Sequence, residues 1–465
     1  MKIKRNTEVN TPLLLIVFML AVLVAAITVD MVNPVLSLIG EDLDASAAQV
    51  SWVVSGVSLV LAIGVPLYGR ISDYFELRKL FTFAILIFAV GSIICALASN
   101  LPLLVFGRMV QGAGSAAIPV LSIVAISQVF PEGKRGGALG LIAGCIGIGT
   151  AAGPIFGGVV GQFFGWHALF WVTFLLAVII VIGALLMIPD IPPTMDPPSN
   201  RQFDLLGGVL LGLTVGLFLF GITQGEAAGI VSFSSLGSLI GSLFALIGFI
   251  WRTTTAEHPF VPPALFSNKP YVSSVLVGLF TMFAYFSVLV FVPLMVVEVN
   301  GLSPGLAAMT LLPGGLAVAI FSPLAGRISD RLGAKPPIIG GLTLMGVSTL
   351  FLSTFASGAS PFLVAAGVLG VCIGQAFTNS PANNAAASAL KNQQVGIGLG
   401  IFQGSLFLGA GTGAGMMGVF LSARKEAMDP INPLYVLAAF PYSDVFLAVT
   451  VVVICALVCS FWLRR

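Results

Sequence analysis

Two ionisable residues stand inside long apolar runs: Asp30 in ITVDMVNPVL and Arg108 in LVFGRMVQGAG. An ionisable group within an apolar span marks a functional site by default. The chemistry open to a lone carboxylate there is proton exchange, because its protonation changes as its surroundings change between a facing cation and an apolar wall. A transported cation and a proton would compete for it. Asp30 lies 10 residues before Gly40 and Arg108 six after Pro102. That is about 15 Å and about 9 Å of helix from the same side. Asp30 and Arg108 are the two candidate proton-coupling residues.

The polar and aromatic residues that could share a cavity with Asp30 are few. They are Asn33, Gln111, Gln375, Asn379 and Gln403, with Phe283, Tyr285, Phe286 and Phe377. Glu226, Glu298 and Asp444 fall at the ends of apolar runs and read as solvated rims. His167 and His258 lie in or beside loops and receive no role. The five cysteines all sit in apolar runs without metal-ligand flanks, so they read as small core residues and no metal is expected. An enzyme would need acids, histidine or a nucleophile within reach of one another, and Asp30 has no such set. No G-x-x-x-x-G-K-[ST] loop is present, which argues against a nucleotide-driven pump. A net charge of +2 gives no ground for a nucleic-acid partner.

The elements that carry these residues follow from composition. Hydrophobic residues make up 58% of the chain and charged ones 8%, against about 25% charged in a soluble domain. Lipid is the solvent for most of such a surface. A spanning helix needs about 20 mostly apolar residues. Fourteen runs qualify, near 12–40, 46–68, 80–98, 102–130, 136–161, 165–188, 205–223, 230–251, 270–298, 304–325, 337–356, 361–389, 394–422 and 443–463. The start, MKIKRNTEVNTP, reads as the lead into a retained first span, because no small-residue cleavage site follows. With both termini cytoplasmic, 17 of the 20 basic residues fall inside; only Arg424 and Lys425 fall outside, and Arg108 lies within a span. The positive-inside bias supports this orientation in a cytoplasmic membrane.

An internal repeat divides the chain. GRISDYFELRKL, from Gly69, lies between spans two and three, and GRISDRLGAK, from Gly326, between spans ten and eleven. Many secondary transporters are built from two copies of one template. The expected division is residues 1–188 as one six-helix half, 269–465 as the other, and 189–268 as a linker with two inserted spans. In each turn the Gly allows close helix approach, and the Asp (Asp73, Asp330) at a helix end can pair with an Arg across the interface. The expected product is a charged latch that holds the cytoplasmic side closed and releases it.

On these residues the chain resembles the major facilitator superfamily, and within it the fourteen-helix drug:proton antiporters. The superfamily loop motif G-x-x-x-D-R-x-G-R-R/K matches at Gly69, Asp73 and Arg78 and departs at Tyr74, Glu76 and Leu77. Its second copy keeps Gly326, Asp330, Arg331, Gly333 and Lys335. RMVQGAGSA matches the family's R-x-x-Q-G pattern, and Gly149, Gly153, Pro154, Gly157 and Gly158 match its antiporter motif G-x-x-x-G-P-x-x-G-G. VDMVNPVL is similar to the acidic motif near the end of helix 1 in this group.

The resemblance implies an all-α integral membrane protein of the major facilitator fold. It also makes helices 1 and 4 neighbours, so that Asp30 and Arg108 could meet. Arg78 and Arg331 join the latch, and the glycine-faced fifth helix, kinked at Pro154, is expected to pack on its counterpart in the other half as an outer gate. The tetracycline exporters of this group carry acids where this chain has Thr150 and Ala410, so metal–tetracycline recognition is not implied. The implied function is a monomeric, cofactor-free exporter of lipophilic drugs, cationic ones among them, driven by the proton gradient. A proton antiporter for a specific solute, such as a metabolite, a peptide-like compound or a monovalent cation, is the alternative.

Overall fold

In the computed structural model the described residues form helices and no strand. Residues 11–45, 47–50, 52–190, 193, 204–229, 231–302, 304–425, 427, 429–437 and 439–463 are described. Among the described residues, fourteen helices are long and apolar enough to cross a membrane. The first six are α1 (Thr11–Asp30), α2 (Trp52–Ile71), α3 (Leu77–Ala96), α4 (Leu101–Val129), α5 (Glu132–Phe164) and α6 (Trp166–Met187). An inserted pair follows, α7 (Leu205–Ala228) and α8 (Phe233–Thr255). The last six are α9 (Lys269–Asn300), α10 (Leu312–Leu332), α11 (Lys335–Phe351), α12 (Pro361–Ala389), α13 (Val395–Lys425) and α14 (Phe440–Ser460).

Each apolar run holds one of these helices, but the first and the tenth are broken into shorter pieces, and the eleventh ends in a π-helical turn at Leu352–Ala356. The first was expected to continue to residue 40, yet α1 stops at Asp30 and gives way to a 3₁₀ turn at Asn33–Val35 and a short helix at Leu36–Asp42. Pro34 explains the stop: it has no N–H to donate, and its ring crowds the carbonyl four residues back, which is that of Asp30. In the tenth run a short helix, Pro304–Met309, precedes α10, and Pro313 stands in the first turn of α10, where its missing N–H costs nothing.

The repeat is visible in the packing. Helix α3 packs on α4 and α6 as α11 packs on α12 and α14; α2 packs on α4 as α10 does on α12, and α1 on α5 as α9 on α13. The two six-helix bundles meet along four lines: α5 against α10 and α12, and α13 against α2 and α4.

The inserted helices form a hairpin that sits astride one of these lines, α7 packing on both α2 and α13. Gly212 and Gly216 of α7 receive Ile63 and Leu59 of α2, while Gly411 and Gly415 of α13 receive Leu219 and Ile222 of α7. Phe220 also meets Trp52 with ring centroids 5.7 Å apart. Asp204 closes the base of the hairpin. Its side chain is 2% exposed and accepts from Arg252 Nε at 2.8 Å, Gly207 N at 3.0 Å and Phe260 N at 3.1 Å. Removing a partner from such a charge-assisted set costs about 1–3 kcal/mol. Asp204→Ala is expected to lower the thermal unfolding midpoint of the detergent-solubilised protein by that equivalent, and an unchanged midpoint contradicts the assignment.

Candidate functional site

Asp30 is the last residue of α1, and a helix end leaves carbonyls without partners. Arg108, on α4 and 1% exposed, supplies the missing donor: its Nη1 reaches the Thr28 carbonyl at 3.1 Å. Its Nε donates to the Val53 carbonyl of α2 at 3.2 Å, and Nη1 also donates to Gln111 Oε1 at 2.7 Å. Gln111 Nε2 then donates to Ser92 Oγ of α3 at 2.8 Å, and Thr173 of α6 donates to the same oxygen at 3.4 Å. One guanidinium thereby ties α1, α2 and α4 directly, and α3 and α6 through Gln111 and Ser92.

The expected meeting of Asp30 with Arg108 is not a contact. Among the described residues the Asp30 carboxylate has no ion pair and no hydrogen bond, and the two groups interact only through space. Arg108 Nη1 and Nε are committed to the Thr28 and Val53 carbonyls and to Gln111, while Nη2 is buried without a hydrogen bond.

The glycines of the α5 motif seat this broken end. Gly149, Gly153, Gly157 and Gly161 recur every four residues, on one helix face. A methyl on Gly153 would stand 3.0 Å from Asp30 Cβ, and one on Gly157 would collide with the Met31 carbonyl. Pro34 lies against Gly158. These glycines therefore pack on α1 of their own half, not on a counterpart in the other half, which corrects the expected outer gate. Nor does Pro154 interrupt the helix, which runs unbroken from Glu132 to Phe164. The part of α5 that does meet the other half is nearer its start, where Gly136, Gly140, Gly144 and Gly147 face Gly326, Ser322, Ala319 and Val318 of α10.

The two GRISD turns form a reciprocal pair of contacts. Asp73 accepts from Gly396 N at 3.0 Å and Ile397 N at 3.1 Å, in the first turn of α13. Asp330 accepts from Gly136 N at 2.8 Å and Gly137 N at 2.9 Å, near the start of α5. Each carboxylate thus meets backbone N–H groups of a helix in the other half, Asp73 in the first turn of α13 and Asp330 in the second turn of α5. Glycine makes the approach possible: a methyl on Gly69 would lie 2.5 Å from Gly400 Cα, and one on Gly136 would lie 2.5 Å from the Gly326 carbonyl oxygen. The halves are closed against each other on the face that carries these turns.

The basic residues expected in the latch are placed otherwise. Arg78 pairs with Asp190, just past α6, at 2.7 Å, and its counterpart Lys335 donates to the Phe461 carbonyl, just past α14, at 2.8 Å. Each anchors the end of the sixth helix of its own half. Arg331 is exposed and makes no ion pair among the described residues. The base beside Asp73 is Arg70, at 3.6 Å.

Gln375 and Asn379, spaced by four on α12, share one face; Gln403 is buried on α13. Tyr285 and Phe286 of α9 meet edge to face at 5.5 Å, and Tyr285 lies within electrostatic reach of Asp30. Asn33 is exposed in the turn beyond α1. Phe377 is a correction: it packs toward Gly341 of α11 and Phe321 of α10, away from the face of Gln375. Asp444 is another, since it is fully buried rather than a solvated rim, pairing with Arg424 at 2.8 Å and accepting from Ile431 N at 2.8 Å. Glu298 is 40% exposed and pairs with Lys425 at 2.9 Å while Tyr442 donates to it at 2.6 Å. The side chain of Glu226 lies outside the described residues. Sequence reasoning missed Ser92, Asp190 and Asp204; it had a signal for Asp444 and Glu298, whose partners Arg424 and Lys425 are the two bases on the wrong side of the charge distribution.

Comparison with known proteins places this geometry. The chain is 28% identical over 84% of its length to the multidrug resistance protein Stp of Mycobacterium tuberculosis, covering 71% of that protein. It is 28% identical over 86% of its length to the tetracenomycin C resistance and export protein of Streptomyces glaucescens, covering 74% of it. The crystal structure of the human organic anion transporter MFSD10 superposes with a TM-score of 0.68 at 12% identity, over 97% of this chain and 99% of that one. The sequence profile described as Major Facilitator Superfamily matches residues 18–414 and 275–465. With the repeated bundles, the reciprocal GRISD contacts and this match across the chain, the protein is a multi-pass membrane transporter that belongs to the Major Facilitator Superfamily.

Proposed function

We propose that this transporter is a proton-coupled antiporter that exports lipophilic compounds, cationic ones among them, across the cytoplasmic membrane by alternating access. The observation that carries the reading is the Asp30 carboxylate, partly open and unpaired at the seated end of α1. A carboxylate held in place by its backbone, with no fixed partner of its own, is free to exchange a proton for a cation. The proton gradient supplies the energy, without a cofactor. The face with the GRISD turns, like both termini, is cytoplasmic on this reading, in keeping with the distribution of basic residues. Release of Asp73 and Asp330 from these N–H groups opens that face; their capture closes it. The relatives from Mycobacterium and Streptomyces, a multidrug resistance protein and a resistance and export protein, support the direction of transport.

Two measurements test the reading. Asp30→Asn cannot release a proton, and an amide is cheaper to bury than a charge. The variant is expected to insert and fold but to lose gradient-driven efflux, cationic compounds suffering more than neutral ones. Proton release on adding substrate to the purified protein disappears with it. Wild-type efflux, for its part, collapses with an uncoupler and persists on ATP depletion when the gradient is kept. Gradient-driven efflux in Asp30→Asn at the wild-type rate sinks the assignment.

Asp73→Asn and Asp330→Asn replace charge-assisted bonds with weaker ones. Each is expected to slow turnover by about tenfold, or about 1.4 kcal/mol, with little change in substrate Kd. Their combination should slow it further. A large loss of affinity at normal turnover is the contrary result.

A further inference from the structure

Two helices from different halves, α2 and α13, meet directly at one end and share a third helix at the other. On the face that carries the GRISD turns the contact is close: Gly69 lies on Gly400, and Pro66 lies against Gly404. Helix α2 ends at this face and α13 begins there, so moving away from it means counting down α2 and up α13. Farther along, Gly411 and Gly415 of α13 receive Leu219 and Ile222 of α7. At the matching depth Ile63 and Leu59 of α2 enter Gly212 and Gly216 of α7, and Trp52 meets Phe220. At 3.6 residues per turn, Gly400, Gly404, Gly411 and Gly415 fall within about 60° of one face of α13. The face of α13 that lies on α2 at one end therefore lies on α7 at the other.

The contact residues of α7 show how it sits. Leu219 and Ile222 are turned from Gly212 and Gly216 by about 70° around the helix. Two adjacent faces of one helix thus rest on two different bundles, which is the position of a wedge in a groove. Helix α8 braces the wedge from behind. Its Ser235 Oγ donates to the Gly221 carbonyl at 2.8 Å and its Ser242 Oγ to the Thr214 carbonyl at 2.7 Å. The seat on α2 runs from Gly208 and Leu211, which face Pro66 and Leu67 across a small void, to Phe220. The seat on α13 is made by two side chains that enter glycine notches.

We propose that α7 is a conformational wedge. With Leu219 and Ile222 in the notches of Gly411 and Gly415 it holds the arrangement in which the GRISD face is closed, and their withdrawal lets that face open. The inference rests on the alternating access proposed above. An equilibrium between two arrangements shifts only through contacts that differ between them. A braced helix seated on both halves is such a contact, because it cannot keep both seats when the halves rotate against each other. The seat on α2 includes a ring contact and close approach at Gly212 and Gly216, so the seat on α13 is the one that yields. This gives the inserted pair a role: it sets how much of the protein is open on the GRISD face.

The geometry supplies its own test. Ile222 Cβ lies 3.6 Å from the Cβ position of Gly415, within the range of about 3.5–4.5 Å that a disulfide needs. Ile222→Cys with Gly415→Cys in the full-length protein is expected to form that bond on oxidation, identified by mass spectrometry of the linked peptides. Amide hydrogen exchange is then followed, without gradient or substrate, in the segments that hold Gly136, Gly137, Gly396 and Ile397, whose N–H groups Asp330 and Asp73 accept. The oxidised protein is expected to exchange there at least about tenfold more slowly than the same protein after reduction, because the open arrangement is no longer visited. Leu219→Ala with Ile222→Ala is expected to speed that exchange by about tenfold, with folding checked by gel filtration. Should this pair fail to fold, the comparison of oxidised with reduced protein decides alone. Equal exchange in the two redox forms, no acceleration in the folded alanine pair, or failure of the cysteines to bond overturns the inference. Efflux by the reduced protein that survives an uncoupler removes the proton-coupled reading instead, and leaves the exchange result standing.

Discussion

The structure depends on how closely two helix backbones can approach where the halves meet. Asp73 and Asp330 reach N–H groups of the opposite half only because Gly69 lies on Gly400 and Gly136 on Gly326, with no room for a side chain between them. Asp73 exploits what every helix start has in excess, unpaired donors and partial positive charge, while Asp330 meets N–H groups of the second turn of α5. Such contacts can be broken and remade, because water and the helix itself offer alternatives at the membrane surface. A pair of buried ionic partners would be harder to release.

The same constraint shapes the site. Inside lipid, a helix can stop only where its freed carbonyls find donors. Helix α1 stops at Asp30, and Arg108 takes up the Thr28 carbonyl. The guanidinium is structural in these bonds and electrostatic in its reach, and among the described residues the neighbouring carboxylate has no ion pair and no hydrogen bond. The glycine row of α5 completes the seat, since a side chain at Gly153 or Gly157 would push the end of α1 away.

Charge and hairpin follow the same economy. Arg424 and Lys425, which the charge distribution would exclude from their side, are matched by Asp444 and Glu298. The inserted α7 grips α2 through its own glycines and α13 through those of α13, so it spans the line between the halves from the lipid side.

Much of the architecture was legible in the residues alone. Lipid demands about 20 apolar residues per crossing, so fourteen runs, the repeated GRISD turn and the lone acid Asp30 could be read directly. What only the tertiary structure decided is which way each helix is turned and what it meets. The row from Gly149 to Gly161 is the same row whether it faces α1 or the other half; the contact with Met31 settles it. Arg78 and Arg331 match one motif, yet the first is drawn to Asp190 and the second to solvent. Phe377 and Gln375 are two residues apart and so point to opposite sides of α12, and Asp444 is buried because Arg424 and the backbone of Ile431 come to it from elsewhere in the chain. Hydropathy reports how long a segment is and how deep it lies, but rotation about its axis and the choice of partner are set by contacts between segments far apart in sequence.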